Sequence, residues 1–163
     1  MAPRSILMML AIALTSCGQP SQGDRNDILA QKQAEVVDRG RLVMPFDIDR
    51  TMHHFTKQPS GGIQRVVSID GDPHQVALIR QHMQAEAIRF ARGDFSDPAT
   101  IHSPSMPGLR ALAAGAGRID IRYAQIPRGA QITYASADPA LVGAIHSWFD
   151  AQVKEHGHHA MPM

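Results

Sequence analysis

The chain has 163 residues, long enough for one domain with a modest core, and its 16 basic and 15 acidic residues leave it close to neutral. With no basic stripe and few aromatic residues, the composition argues against nucleic acid as a partner. Nine histidines are the unusual feature, because imidazole is the side chain that titrates near neutral pH.

The chain begins with the features of an export signal. Arg4 precedes the apolar run ILMMLAIAL at 6–14, which is far shorter than the roughly 20 residues a membrane-spanning helix needs. The stretch LTSC that follows resembles the lipobox of bacterial lipoproteins. The resemblance implies removal of residues 1–16, acylation of Cys17 and a membrane anchor, with Gly18 favouring the periplasmic side of the outer membrane. An ordinary secretory signal with an incidental cysteine is the alternative.

A polar segment separates Cys17 from the first predicted helix. Residues 17–26 are expected to be the lipidated cysteine and a tether. Asp27 is a candidate cap for a helix over 28–39, and Gly40 is a candidate end for it. Pro45 then ends the strand that RLVM begins. Residues 27–157 are predicted to form a single domain.

Two similar groups of elements make up the rest of that domain. Each reads as strand, Gly-containing turn, strand, Asp-Pro and long helix. The first comprises MHHFT, KQPSGG, IQRVVSID and a helix over 73–92, and the second RIDIRYAQI, PRG, AQITYASA and a helix over 139–156. The pattern predicts an α+β fold in which two ββα units form a four-stranded antiparallel sheet, with helices on one face and an additional N-terminal helix.

The first long helix carries a histidine and a carboxylate beside its apolar stripe. The stripe, with spacings of three and four, consists of Ile79, Met83, Ala87 and Phe90. His82 and Glu86 lie one turn apart along its edge. Such a pair can share a metal ion, or the glutamate can orient the imidazole. The alternative is a boundary histidine with an exposed partner.

The segment GDFSDPATIHSPSMPGL at 93–109 contains His102 and Met106 among several prolines. Proline stiffens such a loop, so the two side chains would be presented at little entropic cost. Imidazole with thioether favours copper, particularly Cu(I). Alternatively, Met106 is a hydrophobic staple for the short helix that starts near Pro107.

His53 and His54 lie on the first predicted strand and therefore point to opposite faces of the sheet. If one of them joins His82 and His102, a three-histidine site with Met106 or Glu86 becomes feasible. Such a site would suit copper or, with a bound water, catalytic zinc.

The C-terminal residues resemble the His/Met-rich tails of exported copper-handling proteins. Residues 158–163 are predicted to be a tail without fixed structure, either a metal collector or a functionless end. The candidate ligands there and just before it are His156, His158, His159, Met161 and Met163.

Four stretches resemble a group of small exported bacterial proteins of unassigned role: FDIDRTMHHF, GDFSDPATIHSPSMPGL, YAQIPRGAQITY and DPALVGAIHSWFDAQVKEHG. Together they cover about residues 46–157. In that group His53 belongs to a T-x-H-x-F pattern, and Ser103 replaces a glycine. Some members carry the label aspartate carbamoyltransferase. We reject this activity, because the chain lacks both a second domain and the Ser-x-Arg-Thr type phosphate loop that it requires.

Known catalytic motifs do not appear in the sequence. A zinc finger, an HExxH motif, a nucleophile elbow and a P-loop are all missing, so no catalytic residue is assigned. The leading hypothesis is an envelope lipoprotein that binds a metal ion, copper preferred, or a small ligand. A non-catalytic structural or protein-interaction lipoprotein and a metal-dependent envelope enzyme are the alternatives.

Overall fold

The computed structural model describes residues 21–163, so the predicted signal, Cys17 and the first part of the tether lie outside the described residues. The helices are α1 (Gln22–Val43), α2 (Pro73–Ala91), α3 (Ser96–Ile101), α4 (Leu109–Ala114) and α5 (Pro139–His156). The strands are β1 (Thr51–Gln58), β2 (Gly61–Ser68), β3 (Asp120–Ile126), β4 (Gly129–Ala135) and β5 (Ala160–Pro162). Short 3-10 turns precede β1 and β5.

The five strands form one sheet in the order β3-β4-β2-β1-β5. β1 to β4 pair antiparallel, whereas β5 lies parallel to β1 with Ala160 opposite His53. The α+β class is therefore confirmed, but the predicted four-stranded antiparallel sheet is wrong in number and type. The difference arises because the C-terminal residues, expected to lack fixed structure, hydrogen-bond along the open edge of β1.

Helices α2 and α5 pack on one face of the sheet. Asp72 and Asp138 cap them by accepting hydrogen bonds from backbone amides of the first turn, and a proline occupies the first helical position of each. The predicted stripe of α2 is buried, as are Ile145, Trp148 and Phe149 of α5. Trp148 is at the centre of the core, making edge contacts with Phe90, Phe95 and Tyr134.

Helix α1 is longer than the sequence predicts. It begins after Ser21, whose side chain forms a capping box with Asp24, so the expected cap at Asp27 is wrong. It also continues through Gly40 to Val43, which means that RLVM ends a helix rather than starting a strand. Gly40 serves close packing instead of termination, because a Cβ there would be 2.8 Å from the Ile48 side chain. Val36 and Gly40 are its only buried residues.

The loop between α3 and α4 is pressed against α5. Gly108 has a φ of +79°, and a Cβ at this position would be 2.2 Å from the carbonyl oxygen of Ala144. Only glycine fits both the left-handed backbone and this close approach. The loop therefore carries His102 to the surface of α5 and fixes it there.

Candidate functional site

Three buried histidines from three different elements meet between the sheet and α5. His53 is the inward-facing residue of β1 next to Phe55, His102 follows the last turn of α3, and His156 ends α5. Their exposed fractions are 2%, 2% and 5%. Such burial of three imidazoles is unusual, because histidine is more often partly exposed.

His102 is held in one orientation by Glu155. Its Nδ1 is 2.8 Å from Oε2 of Glu155, and since a carboxylate only accepts, Nδ1–H is the donor. Lys32 of α1 completes the arrangement by donating to the carbonyl oxygen of His102 at 2.5 Å. Burial alone would raise the pKa of Glu155, but the bonds from His102 and Lys32 lower it below its usual range. With Nδ1 engaged by Glu155, Nε2 is the His102 nitrogen that faces His156.

His156 faces this free nitrogen. The Nε2 atoms of His102 and His156 are 3.1 Å apart, and Nε2 of His156 is also 2.9 Å from Oε1 of Gln152. Burial, with smaller contributions from His53 and His102, lowers the pKa of His156 well below its usual value. His156 is thus a neutral imidazole in the folded protein.

His53 stacks on His156, with ring centroids 5.0 Å apart and planes 19° from parallel. Burial lowers its pKa to about 3, although a hydrogen bond to the backbone of His159 acts in the opposite direction. Its Nδ1 is buried and has no hydrogen-bond partner among the described residues. A buried nitrogen without a partner is a group that a ligand could satisfy.

These imidazoles line a cavity of about 40 Å³, which is room for a water molecule or a metal ion. Met44 and Met83 also contribute to its wall. The indole Nε1 of Trp148, another lining residue, is buried and has no hydrogen-bond partner within residues 21–163. The cavity is therefore lined by imidazole-bearing and thioether-bearing residues.

His82 and Glu86 line the same cavity from α2. His82 is partly buried and contacts the ring of Phe46 edge-on at 5.6 Å, and burial lowers its pKa. Glu86 is 5% exposed, and burial together with the nearby Asp97 raises its pKa to about 8. Arg89 is 2.9 Å from Glu86, but it does not offset these effects because it also bonds Asp97 through two nitrogens.

Met106 does not belong to this group. It is 5% exposed and packs in the hydrophobic core, and it is absent from the residues that line the cavity. His102 is equally buried, so the loop does not hold these two side chains out toward solvent. The loop instead inserts both residues into the protein, where they reach different surroundings.

The C-terminal candidates are split between the interior and the surface. His156 is part of α5 and His159 is 5% exposed, whereas Met161 is 42% and Met163 65% exposed. His158 is exposed, and its ring lies 3.9 Å from that of His159 between centroids. Because residues 160–162 form β5, the expectation of a tail without fixed structure is wrong.

The structure thus brings five predicted residues to one cavity: His53, His82, Glu86, His102 and His156, the last of which the sequence grouped with the C-terminal tail. Sequence reasoning missed that His156 belongs with the other four, and it missed Gln152 and Glu155. A signal was available, because Gln152 and His156 continue the apolar stripe of α5 at spacings of four from Trp148. Within residues 21–163, however, no three His, Cys, Asp or Glu side chains are already arranged around one point as metal ligands.

Comparisons of this chain with family models, curated proteins and solved structures gave no match. The resemblance to small exported proteins, the export signal and the lipid anchor therefore remain predictions. None of the helices in the described part of the chain has the length and apolar character that crossing a bilayer demands.

Proposed function

We propose that this protein binds a single metal ion, copper preferred, in the cavity between His53, His102 and His156. The observation that carries the proposal is the pair of buried Nε2 atoms 3.1 Å apart, one of them on an imidazole oriented by a carboxylate. We further propose that the protein acts as a lipoprotein of the cell envelope, anchored through acylated Cys17.

The spacing of the two nitrogens fits a shared ion. Ligands at about 2.0–2.1 Å from a tetrahedral ion are roughly 3.3 Å apart, close to the separation of His102 and His156. Glu155 behind His102 supplies the carboxylate–histidine arrangement that orients metal ligands and raises their basicity. His156 would exchange its bond with Gln152 for the ion.

His53 is the third proposed ligand. Its Nδ1 is buried and unpartnered, so coordination would satisfy it rather than cost an existing hydrogen bond. A turn of the stacked ring is needed to direct this atom at the ion. His53 and His156 are neutral because burial lowers the pKa of both. No proton has to leave these two imidazoles before they bind a cation.

The donor set supports copper over calcium or magnesium. Imidazole nitrogen suits copper and zinc, and affinities of such sites normally rank copper above zinc. With Met106 in the core, the thioethers that favour Cu(I) would be those of Met83 and Met44.

The proposal is tested by calorimetric titration of the chelator-treated, purified full chain with Cu(II), Zn(II) and, under anaerobic conditions, Cu(I). We expect one ion per chain, with nitrogen coupling in the electron paramagnetic resonance spectrum of the Cu(II) form. His102→Gln and His156→Gln should each weaken binding at least tenfold, while the exposed His74→Gln should leave it unchanged.

Circular dichroism of every variant establishes that the fold is retained. No binding by the unaltered chain, or equal binding by all variants, would overturn the proposal. A structural or protein-interaction role for the domain would then be the better interpretation.

A further inference from the structure

A second pocket opens on the surface directly outside the cavity. It has a volume of about 390 Å³ and lies between α1 and the segment that joins α5 to β5. His158 and His159 line it together with Asp38 and Asp49. We refer to it as the outer pocket.

His156 lines both the cavity and the outer pocket, so the two spaces meet at this residue. The backbone after His159 is also coupled to the interior, since Ala160 of β5 pairs with His53 of β1. Gly157, with a φ of +57°, turns the chain between His156 and His158. This turn of backbone therefore carries the exposed His158 and the buried His156.

The side chains of the outer pocket suit a cation. Nε2 of His159 is 3.6 Å from Oδ1 of Asp49, and the ring of His158 lies beside that of His159. Arg41 pairs with both Asp38 and Asp49, at 3.3 Å and 3.0 Å, so two carboxylates face one guanidinium and leave a net negative charge.

We propose that the outer pocket is a capture site for the metal ion, and that the ion passes from His158, His159 and Asp49 to His156 and into the cavity. This inference rests on the proposed function. It assigns the C-terminal histidines to a fixed access route in place of a flexible collector. The cavity would set the affinity, and the outer pocket would set the rate of loading.

The test is stopped-flow mixing of the metal-free full chain with Cu(II), followed by the quenching of Trp148 fluorescence. His158→Gln and Asp49→Asn, alone and combined, should slow loading five- to tenfold. They should also slow release to a chelator by the same factor, so that the equilibrium affinity stays within twofold. His74→Gln and Asp27→Asn, exposed residues outside both pockets, are the matched controls.

The outcomes separate the two proposals. Tight binding with unchanged rates in His158→Gln and Asp49→Asn would overturn the access route and leave the cavity as the site. Weaker equilibrium binding in these variants would also overturn it, because the outer residues would then be ligands of the final site. Absence of binding by the unaltered chain would overturn both.

Discussion

Glu155 is the residue that distinguishes this cluster from a chance meeting of buried histidines. Its carboxylate is 18% exposed and accepts from Nδ1 of His102 while lying 3.7 Å from Nζ of Lys32. The imidazole is thereby restricted to one tautomer, with Nε2 directed at His156. A histidine that only filled space in the core would not require this support.

We therefore expect Glu155→Gln to weaken metal binding by roughly 10- to 100-fold, the usual effect of losing a partner behind a ligand histidine. The amide can still hold the ring, but it no longer adds negative charge behind it. Calorimetric titration measures the change, and Glu35→Gln on the exposed side of α1 is the matched control. Unchanged affinity in Glu155→Gln would show that His102 is not a ligand.

At the level of elements, two glycines differ in whether a neighbouring segment packs too closely to leave room for a side chain. Gly108 has a left-handed backbone and packs against α5. Gly143 lies inside α5, and the space where its Cβ would project is open. The same substitution thus has opposite physical consequences at two sites on neighbouring segments.

Gly108→Ala should destabilise the protein by about 3 kcal/mol, since it combines left-handed strain of about 1–2 kcal/mol with a backbone clash. Gly143→Ala should stabilise it by up to about 1 kcal/mol, because alanine favours the helix. Urea unfolding of both variants gives the two free energies. A neutral Gly108→Ala would mean that the loop does not rest on α5 as described.

The elements predicted correctly are those whose signals are local. Asp-Pro before α2 and α5, and the strand-turn-strand patterns of β1 to β4, belong to the segments themselves. The start of α1 and the existence of β5 were not predicted. Ser21 caps α1 after a stretch that reads as a tether, and β5 is only three residues long and depends on the edge of β1. Short strands are specified by their partner rather than by their own sequence.

The residues of the candidate site differ in the same way: some were predictable from local sequence patterns and others were not. Helical periodicity placed His82 and Glu86 beside the core stripe, and strand alternation allowed one of His53 and His54 to face inward. The pairing of His102 with His156 depends on how a loop and a helix end meet in space, which no spacing in the chain encodes. Met106 illustrates the opposite error, because proximity in sequence to His102 did not bring it to the same cavity.

For the molecule as a whole, the buried ionisable groups predict how stability changes with pH. His53 and His156 have lowered pKa values in the folded state, so below their unfolded value of 6.5 the unfolded chain binds more protons. Stability of the metal-free protein should therefore fall as the pH drops below about 6.5, by on the order of 2 kcal/mol for His53 at pH 5, and His156 acts in the same direction. Urea unfolding at pH 6.5 and at pH 5 measures this loss of unfolding free energy. His53→Gln should reduce this loss, and an unchanged loss would contradict the burial of a neutral His53.

Glu86 makes the stability of the folded protein fall as the pH rises. Its pKa is raised to about 8 in the folded protein from 4.5, so the folded state holds an extra proton between these values. Stability should decline as the pH rises through this window, by on the order of 1 kcal/mol between pH 6.5 and 8. Glu86→Gln should abolish the decline, as measured by urea unfolding at both pH values. A decline of equal size in Glu86→Gln would assign it to another group.

The parallel pairing of β5 with β1 joins the last residues of the chain to the first strand of the sheet. Synthesis from the N-terminus delivers His53 first and His156 about 100 residues later. Until then the cavity lacks one wall, and a copy that ends prematurely never encloses it. On the proposed function, the place where the cavity closes would decide which metal ions the protein meets first.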